Sequence, residues 1–138
     1  MSASDGDRLV EAARAAREFA IAPYSGFKVG AALLARDGRI IGGCNVENAS
    51  YGLTMCAERV ALLKALSDGI RDFTTIAVVA DTANPTPPCG PCRQLLWEYC
   101  GDILVIMSNL TAITGQLQMR DLLPLPFDGR LLEKKSAG

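Results

Sequence analysis

Apolar residues recur at helical spacing near the start of the chain. Leu9, Val10, Ala13, Ala16, Phe19 and Ala20 predict an amphipathic helix over about residues 5–20. Ser4 is its expected N-cap, with Asp7 three residues later in a capping-box-like arrangement, and Pro23 is its expected stop. The period then changes. Residues 27–35 and 39–46 read as two strands joined by Arg36-Asp37-Gly38, a hairpin signal. The stretch from Val29 to Leu34 is almost wholly apolar, so both of its faces should be covered. Gly42-Gly43 interrupts the second strand and predicts either a bulge or a close backbone approach.

A polar loop, Asn45 to Gly52, leads into a second helix over about 55–67, with Val60, Leu62, Leu63 and Leu66 apolar and Gly69 just past its end. Residues 75–80 form a short β-branched run, hence a buried strand. After the Pro-rich loop 82–88, Cys89 takes an N-cap position and Pro91 the first turn of a third helix, which ends at Gly101. Residues 103–107 are another buried strand, and 111–119 a last strand or a loose hairpin. Helices alternating with apolar strands place the chain in the α/β class. The expected architecture is three-layer α/β/α around a mixed, about five-stranded central sheet.

Composition narrows the class. At 138 residues the chain is expected to be a single domain, with a mobile tail from about residue 129. Net charge is −1 with no block of like charges, which argues against a nucleic-acid or membrane surface as partner. The N-terminus lacks the basic and apolar regions of a signal peptide, and the longest apolar runs are too short to cross a bilayer. Five cysteines without a secretion signal read as reduced thiols, hence a cytoplasmic protein. There is no histidine, which excludes Ser-His-Asp and Cys-His catalysis and leaves any zinc to cysteines, carboxylates or water.

Two short motifs carry the chemistry. Cys89 and Cys92 have the C-x-x-C spacing, which puts two thiols on one face of a helical turn. Cys56 adds a third thiol at the head of another helix. Three protein ligands with an open fourth position is the pattern of catalytic zinc, and one ion per chain is expected. Three thiolates leave such a site negative, so two helix N-termini and Arg59, one turn beyond Cys56, are expected to offset the charge. Glu58, still in the first turn, is the natural general acid/base for a zinc-bound water. A surface arginine and a carboxylate placed by the helix dipole are the ordinary alternatives for Arg59 and Glu58.

The combination Cys56-Ala57-Glu58 with Pro88-Cys89-Gly90-Pro91-Cys92 matches the signature of zinc deaminases. Together with Pro23-Tyr24-Ser25-Gly26-Phe27, Cys44-Asn45-Val46-Glu47-Asn48 and Leu122-Leu123-Pro124-Leu125-Pro126-Phe127, it makes the chain resemble the small, homotetrameric, zinc-dependent cytidine deaminases from about residue 23 to 127. The resemblance implies a cytidine deaminase-like fold and hydrolytic deamination of cytidine and 2′-deoxycytidine in pyrimidine salvage. It implies zinc on Cys56, Cys89 and Cys92, proton transfer by Glu58, and Arg59 and Gln94 beside the ligands. It also implies Phe27 against the pyrimidine, Asn45 and Glu47 on the ribose, and the Ala57 backbone on the base. Ala49, Tyr51 and Phe127 would reach into a neighbouring subunit's site. Residues 109–119 match poorly, and Cys44 and Cys100 are expected to be buried free thiols. The competing readings are a deaminase of a blasticidin-type antibiotic, a dithiol redox pair and a non-catalytic zinc module.

Overall fold

The computed structural model describes residues 3–132. Helix α1 spans Ala3–Arg17, and strands β1 (Val29–Ala35) and β2 (Ile40–Cys44) form the predicted hairpin. Gly38 closes it at φ 97°, the left-handed region open to glycine. Helix α2 (Ala57–Ser67), strand β3 (Phe73–Ala80), helix α3 (Gly90–Cys100) and strand β4 (Leu104–Ser108) follow, then β5 (Ile113–Gln118) and the single turn α4 (Met119–Leu122).

The strands make one five-stranded sheet in the order β2-β1-β3-β4-β5. β1 is antiparallel to both β2 and β3, β3 is parallel to β4, and β4 is antiparallel to β5. β2, β3 and β4 therefore run the same way. Their C-terminal ends and the start of β1 share one edge of the sheet. α2 leaves that edge after β2, and α3 leaves it after β3, so both helices begin there.

The sheet is covered on both faces, which explains the unbroken apolar run in β1. Leu9, Val10 and Ala13 of α1 pack on Ala32, Leu34, Ala77, Val79 and Ile106. On the opposite face Ala61, Leu62 and Ala65 of α2 and Leu96 of α3 meet Leu33, Ile76, Val105 and Met107. Leu96 is fully buried at the contact of α3 with the sheet. Leu96→Ala is expected to cost about 2–5 kcal/mol, read as a lower urea midpoint at unchanged slope.

The structure corrects one local expectation and decides the others. The first helix ends at Arg17 rather than near 20, and Phe19 is 77% exposed. The chain turns at 18–20 so that Ile21 can pair with Val46, which takes Phe19 off the helix face. Leu63 likewise faces outward, because α2 turns Ala61, Leu62 and Ala65 to the sheet. The glycine pair is a close approach, not a bulge. Gly42 and Gly43 pair regularly with Ala32 and Ala31, and the irregularity in β1 lies at Leu34/Ala35. Residues 113–118 are an edge strand, which settles the choice left open for that stretch.

The segment after α4 is held to α3. Arg93 donates to the carbonyls of Pro88 (2.8 Å) and Leu122 (3.0 Å), and Gln94 donates to the carbonyl of Phe127. Trp97 Nε1 donates to Asp128 Oδ2 at 3.0 Å. Arg130 grips the same carboxylate and, with Trp97, holds it well below the usual carboxylate range. Residues 129–131, expected to begin a mobile tail, form a 3-10 turn capped by Asp128. The rest of that expectation falls on 133–138, outside the described residues.

Candidate metal centre and pocket

Two helix starts meet at the shared edge of the sheet. Cys56 is the N-cap of α2 and Cys89 the N-cap of α3, each with extended backbone and neither capped by a side chain. The first-turn N–H groups of both helices thus open toward the sulfurs, and each helix adds partial positive charge there. Pro91 lies in the first turn of α3, where its missing N–H costs nothing.

Cys56 Sγ lies 3.3 Å from Cys89 Sγ, and Cys89 Sγ lies 3.0 Å from Cys92 Sγ. Both spacings are far beyond a disulfide bond of about 2.05 Å, so the sulfurs are separate donors. With a Glu58 oxygen they form a cluster whose ligand atoms all lie within 4.8 Å of one another. Soft sulfur donors around one point suit zinc. Arg59 Nε is buried without a hydrogen-bond partner among the described residues. The guanidinium makes no described hydrogen bond to a thiol. Its positive charge acts on Cys56 and Glu58 through space.

The electrostatics separate the three thiols. Hydrogen bonding from Cys92, helped by Cys89 and Arg59, lowers Cys56 to about 6. Cys92 is pushed well up, because its proton serves Cys56 and because it is buried. Burial raises Cys89 as well. Glu58 is 4% exposed, and that burial pushes its carboxyl up to about 7 against a hydrogen bond from Cys92. Cys44 and Cys100 stand apart as half-buried free thiols, Cys100 pushed up to about 12 by burial.

A cavity of about 200 Å³ opens onto this cluster. Cys56, Ala57, Glu58 and Cys89 of the cluster region line it, together with Phe27, Asn45 and Glu47. Phe27, just before β1, is anchored through its backbone. Its carbonyl accepts from Asn45 Nδ2 at 2.7 Å, and its N–H donates to Ser25 Oγ at 3.0 Å. Asn45 Oδ1 accepts from the N–H of Val29 at 2.9 Å, so one side chain pins the start of β1. Glu47 Oε1 accepts from the N–H groups of Tyr24 (3.0 Å) and Ser25 (3.1 Å), and Oε2 accepts from the Ser25 hydroxyl. These bonds, that of the Ser25 hydroxyl foremost, hold the Glu47 carboxyl below its usual range.

Seven expected site residues therefore meet at one place: Cys56, Cys89, Glu58, Ala57, Phe27, Asn45 and Glu47. Cys92 completes the cluster from behind, buried. Tyr51 lines an adjoining hollow with Tyr24, its ring edge-on to that of Tyr24 at 6.0 Å. Ala49 is exposed, and Phe127 sits 60% exposed in a separate apolar hollow with Leu125 and Leu131. None of these last three lines this chain's own pocket. Gln94, two residues beyond Cys92 on α3, donates to the Phe127 carbonyl of the C-terminal segment. Ser25, Thr54, Thr86 and Pro87 line the pocket unforeseen. Apolar periodicity does not mark such polar loop positions; only their nearness to Phe27, Cys56 and Cys89 in sequence hints at them.

Residues 3–108 match the model of the cytidine and deoxycytidylate deaminase zinc-binding region. A cytidine deaminase of Halalkalibacterium halodurans is 54% identical over 124 residues, 89% of this chain and 94% of its own. The crystal structure of cytidine deaminase from Burkholderia pseudomallei superposes with a TM-score of 0.86 at 50% identity, covering 92% of this chain and 100% of that one. A blasticidin-S deaminase of Bacillus cereus is 32% identical over 110 residues, 72% of this chain and 76% of its own.

Proposed function

The chain belongs to the cytidine and deoxycytidylate deaminase family, and on that premise we propose that it hydrolyses cytidine and 2′-deoxycytidine to the uridine forms plus ammonia. One observation carries this reading. A buried carboxylate, Glu58, shares a helical turn with a thiol of a three-sulfur cluster and faces a pocket with an aromatic wall.

Cys56, Cys89 and Cys92 would hold the ion, with Arg59 and the two helix ends offsetting the thiolate charge. Zinc, when bound there, supplies the Lewis acidity that makes the attacking water a ready proton donor. The remaining work falls to the chain. Phe27 stacks on the flat pyrimidine, and the Ala57 backbone, at the pocket floor, bonds the base edge. Asn45 retains one N–H and one lone pair beyond its bonds to Phe27 and Val29, and Glu47 retains acceptor capacity, both for the ribose hydroxyls. Glu58 accepts a proton from the attacking water and delivers it to ring N3 as the C4–O bond forms. It then takes the remaining hydroxyl proton and passes it to the amino group. The C4–N bond breaks, and ammonia leaves.

The weaker likeness to a blasticidin-S deaminase does not favour an antibiotic substrate over cytidine. A dithiol pair would use neither Cys56 nor Glu58. Tyr51, Leu125, Phe127, Leu131 and Leu132 are exposed apolar groups, which supports a homotetramer with sites shared between neighbours. Among the described residues no helix is long and apolar enough to cross a membrane, and reduced thiols suit the cytoplasm. A role in pyrimidine salvage follows from the substrate.

The test is an ultraviolet absorbance assay of purified protein with cytidine and with 2′-deoxycytidine, alongside metal analysis. Turnover of both, with zinc near one per chain, is expected. Zinc at that level with no turnover of either would leave a non-catalytic zinc module.

A further inference from the structure

The part of the pocket lining that holds Phe27 and Glu47 is built around one hydroxyl. Ser25 Oγ donates to Glu47 Oε2 and accepts from the N–H of Phe27 at 3.0 Å, while the N–H of Ser25 donates to Glu47 Oε1 at 3.1 Å. Ser25 also borders both hollows that meet at Glu47. Glu47 has no ion-pair partner among the described residues; the Tyr24-Ser25 turn alone orients its carboxylate. The hydroxyl thus joins the backbone of Phe27 to the carboxylate of Glu47, 22 residues away from Ser25 on another segment.

We infer that Ser25 is a positioning residue for sugar recognition: its hydroxyl turns the Glu47 carboxylate toward the sugar hydroxyls and sets that carboxylate in register with the ring of Phe27. The inference rests on the reading of Glu47 as the sugar acceptor. Ser25 itself need not touch the substrate. Without its hydroxyl, Glu47 keeps its two backbone donors on Oε1 but loses the bond that fixes Oε2, so the carboxylate can rotate. The Phe27 N–H is exposed enough for water to replace its lost acceptor, so base stacking changes little.

The experiment compares cytidine with 2′,3′-dideoxycytidine, which lacks the hydroxyls Glu47 is read to bind. Ser25→Ala is expected to lower kcat/KM for cytidine about tenfold, chiefly through KM, and for the dideoxy substrate about twofold or less. Ser25→Thr, which keeps the hydroxyl, is expected to restore cytidine turnover to within about twofold. Equal losses on the two substrates for Ser25→Ala, with Glu47→Gln still discriminating between them, would overturn the role of Ser25. Equal losses for Glu47→Gln would overturn the reading of Glu47, and the inference with it.

Discussion

Glu58→Gln is expected to lower kcat for cytidine at least about a thousandfold while zinc stays near one per chain. Glutamine keeps the shape and the hydrogen-bonding reach of the side chain but cannot carry a proton between water, ring N3 and the leaving amine. The environment gives it no reason to unfold. Glu58 is 4% exposed, and burial already opposes its charge, so a neutral isostere is easily housed. KM should change little, since Phe27, Asn45 and Glu47 keep their own contacts, none of which involves Glu58. Steady-state absorbance kinetics with parallel metal analysis read both quantities. Near wild-type turnover would remove Glu58 from the proton path; loss of the zinc along with activity would recast it as a ligand.

The second large effect lies outside the pocket. A Cβ placed on Gly43 would stand 2.5 Å from Ala61 N and 2.7 Å from Ala57 O, both backbone atoms of α2. Backbone cannot swing aside as a side-chain tip can, so Gly43→Ala must drive the first turn of α2 away from β2. That turn carries Cys56, Glu58 and Arg59. Activity is expected to fall about a hundredfold or more, as a shift near 1 Å in a catalytic group does, and stability by about 1–3 kcal/mol. Its neighbour provides the contrast. A Cβ on Gly42 would come no nearer than 3.4 Å to any atom, the nearest being Ala16 Cβ, so Gly42→Ala should retain activity within a few-fold. Similar losses from both variants would mean that strand stiffness, not the position of α2, is at stake.

Much of the molecule was legible because its signals are local. Asp37-Gly38, Gly69 and Gly101 mark element ends, and all three glycines adopt positive φ. Cys56, Glu58, Cys89 and Cys92 were readable because a metal demands donors at helical spacing. The α2 and α3 starts were each placed within two residues. What escaped depends on distance in the chain. Phe19 carries a helical period yet lies beyond the helix, since the pairing of Ile21 with Val46 outweighs local propensity. Gly43 signals either a bulge or a close approach, and only the packing of α2 against it decides between them. The bond of Gln94 to the Phe127 carbonyl has no local signal, because Phe127 lies 33 residues further on. Ser25 stood inside a recognised motif without a role, because its partner Glu47 belongs to another loop.

The meeting of two helix starts has a consequence for how the fold comes apart. Cys56 and Cys89 are 33 positions apart, and the chain between them holds α2 and β3. An ion gripping both ends acts as a cross-link on that loop, and chain-entropy arguments value such a link at about 4 kcal/mol. Amide exchange across α2 and β3 should then slow markedly in the zinc-loaded protein, with α1 responding less. The catalytic ion thereby doubles as a rivet, and the segment it closes becomes among the last to open.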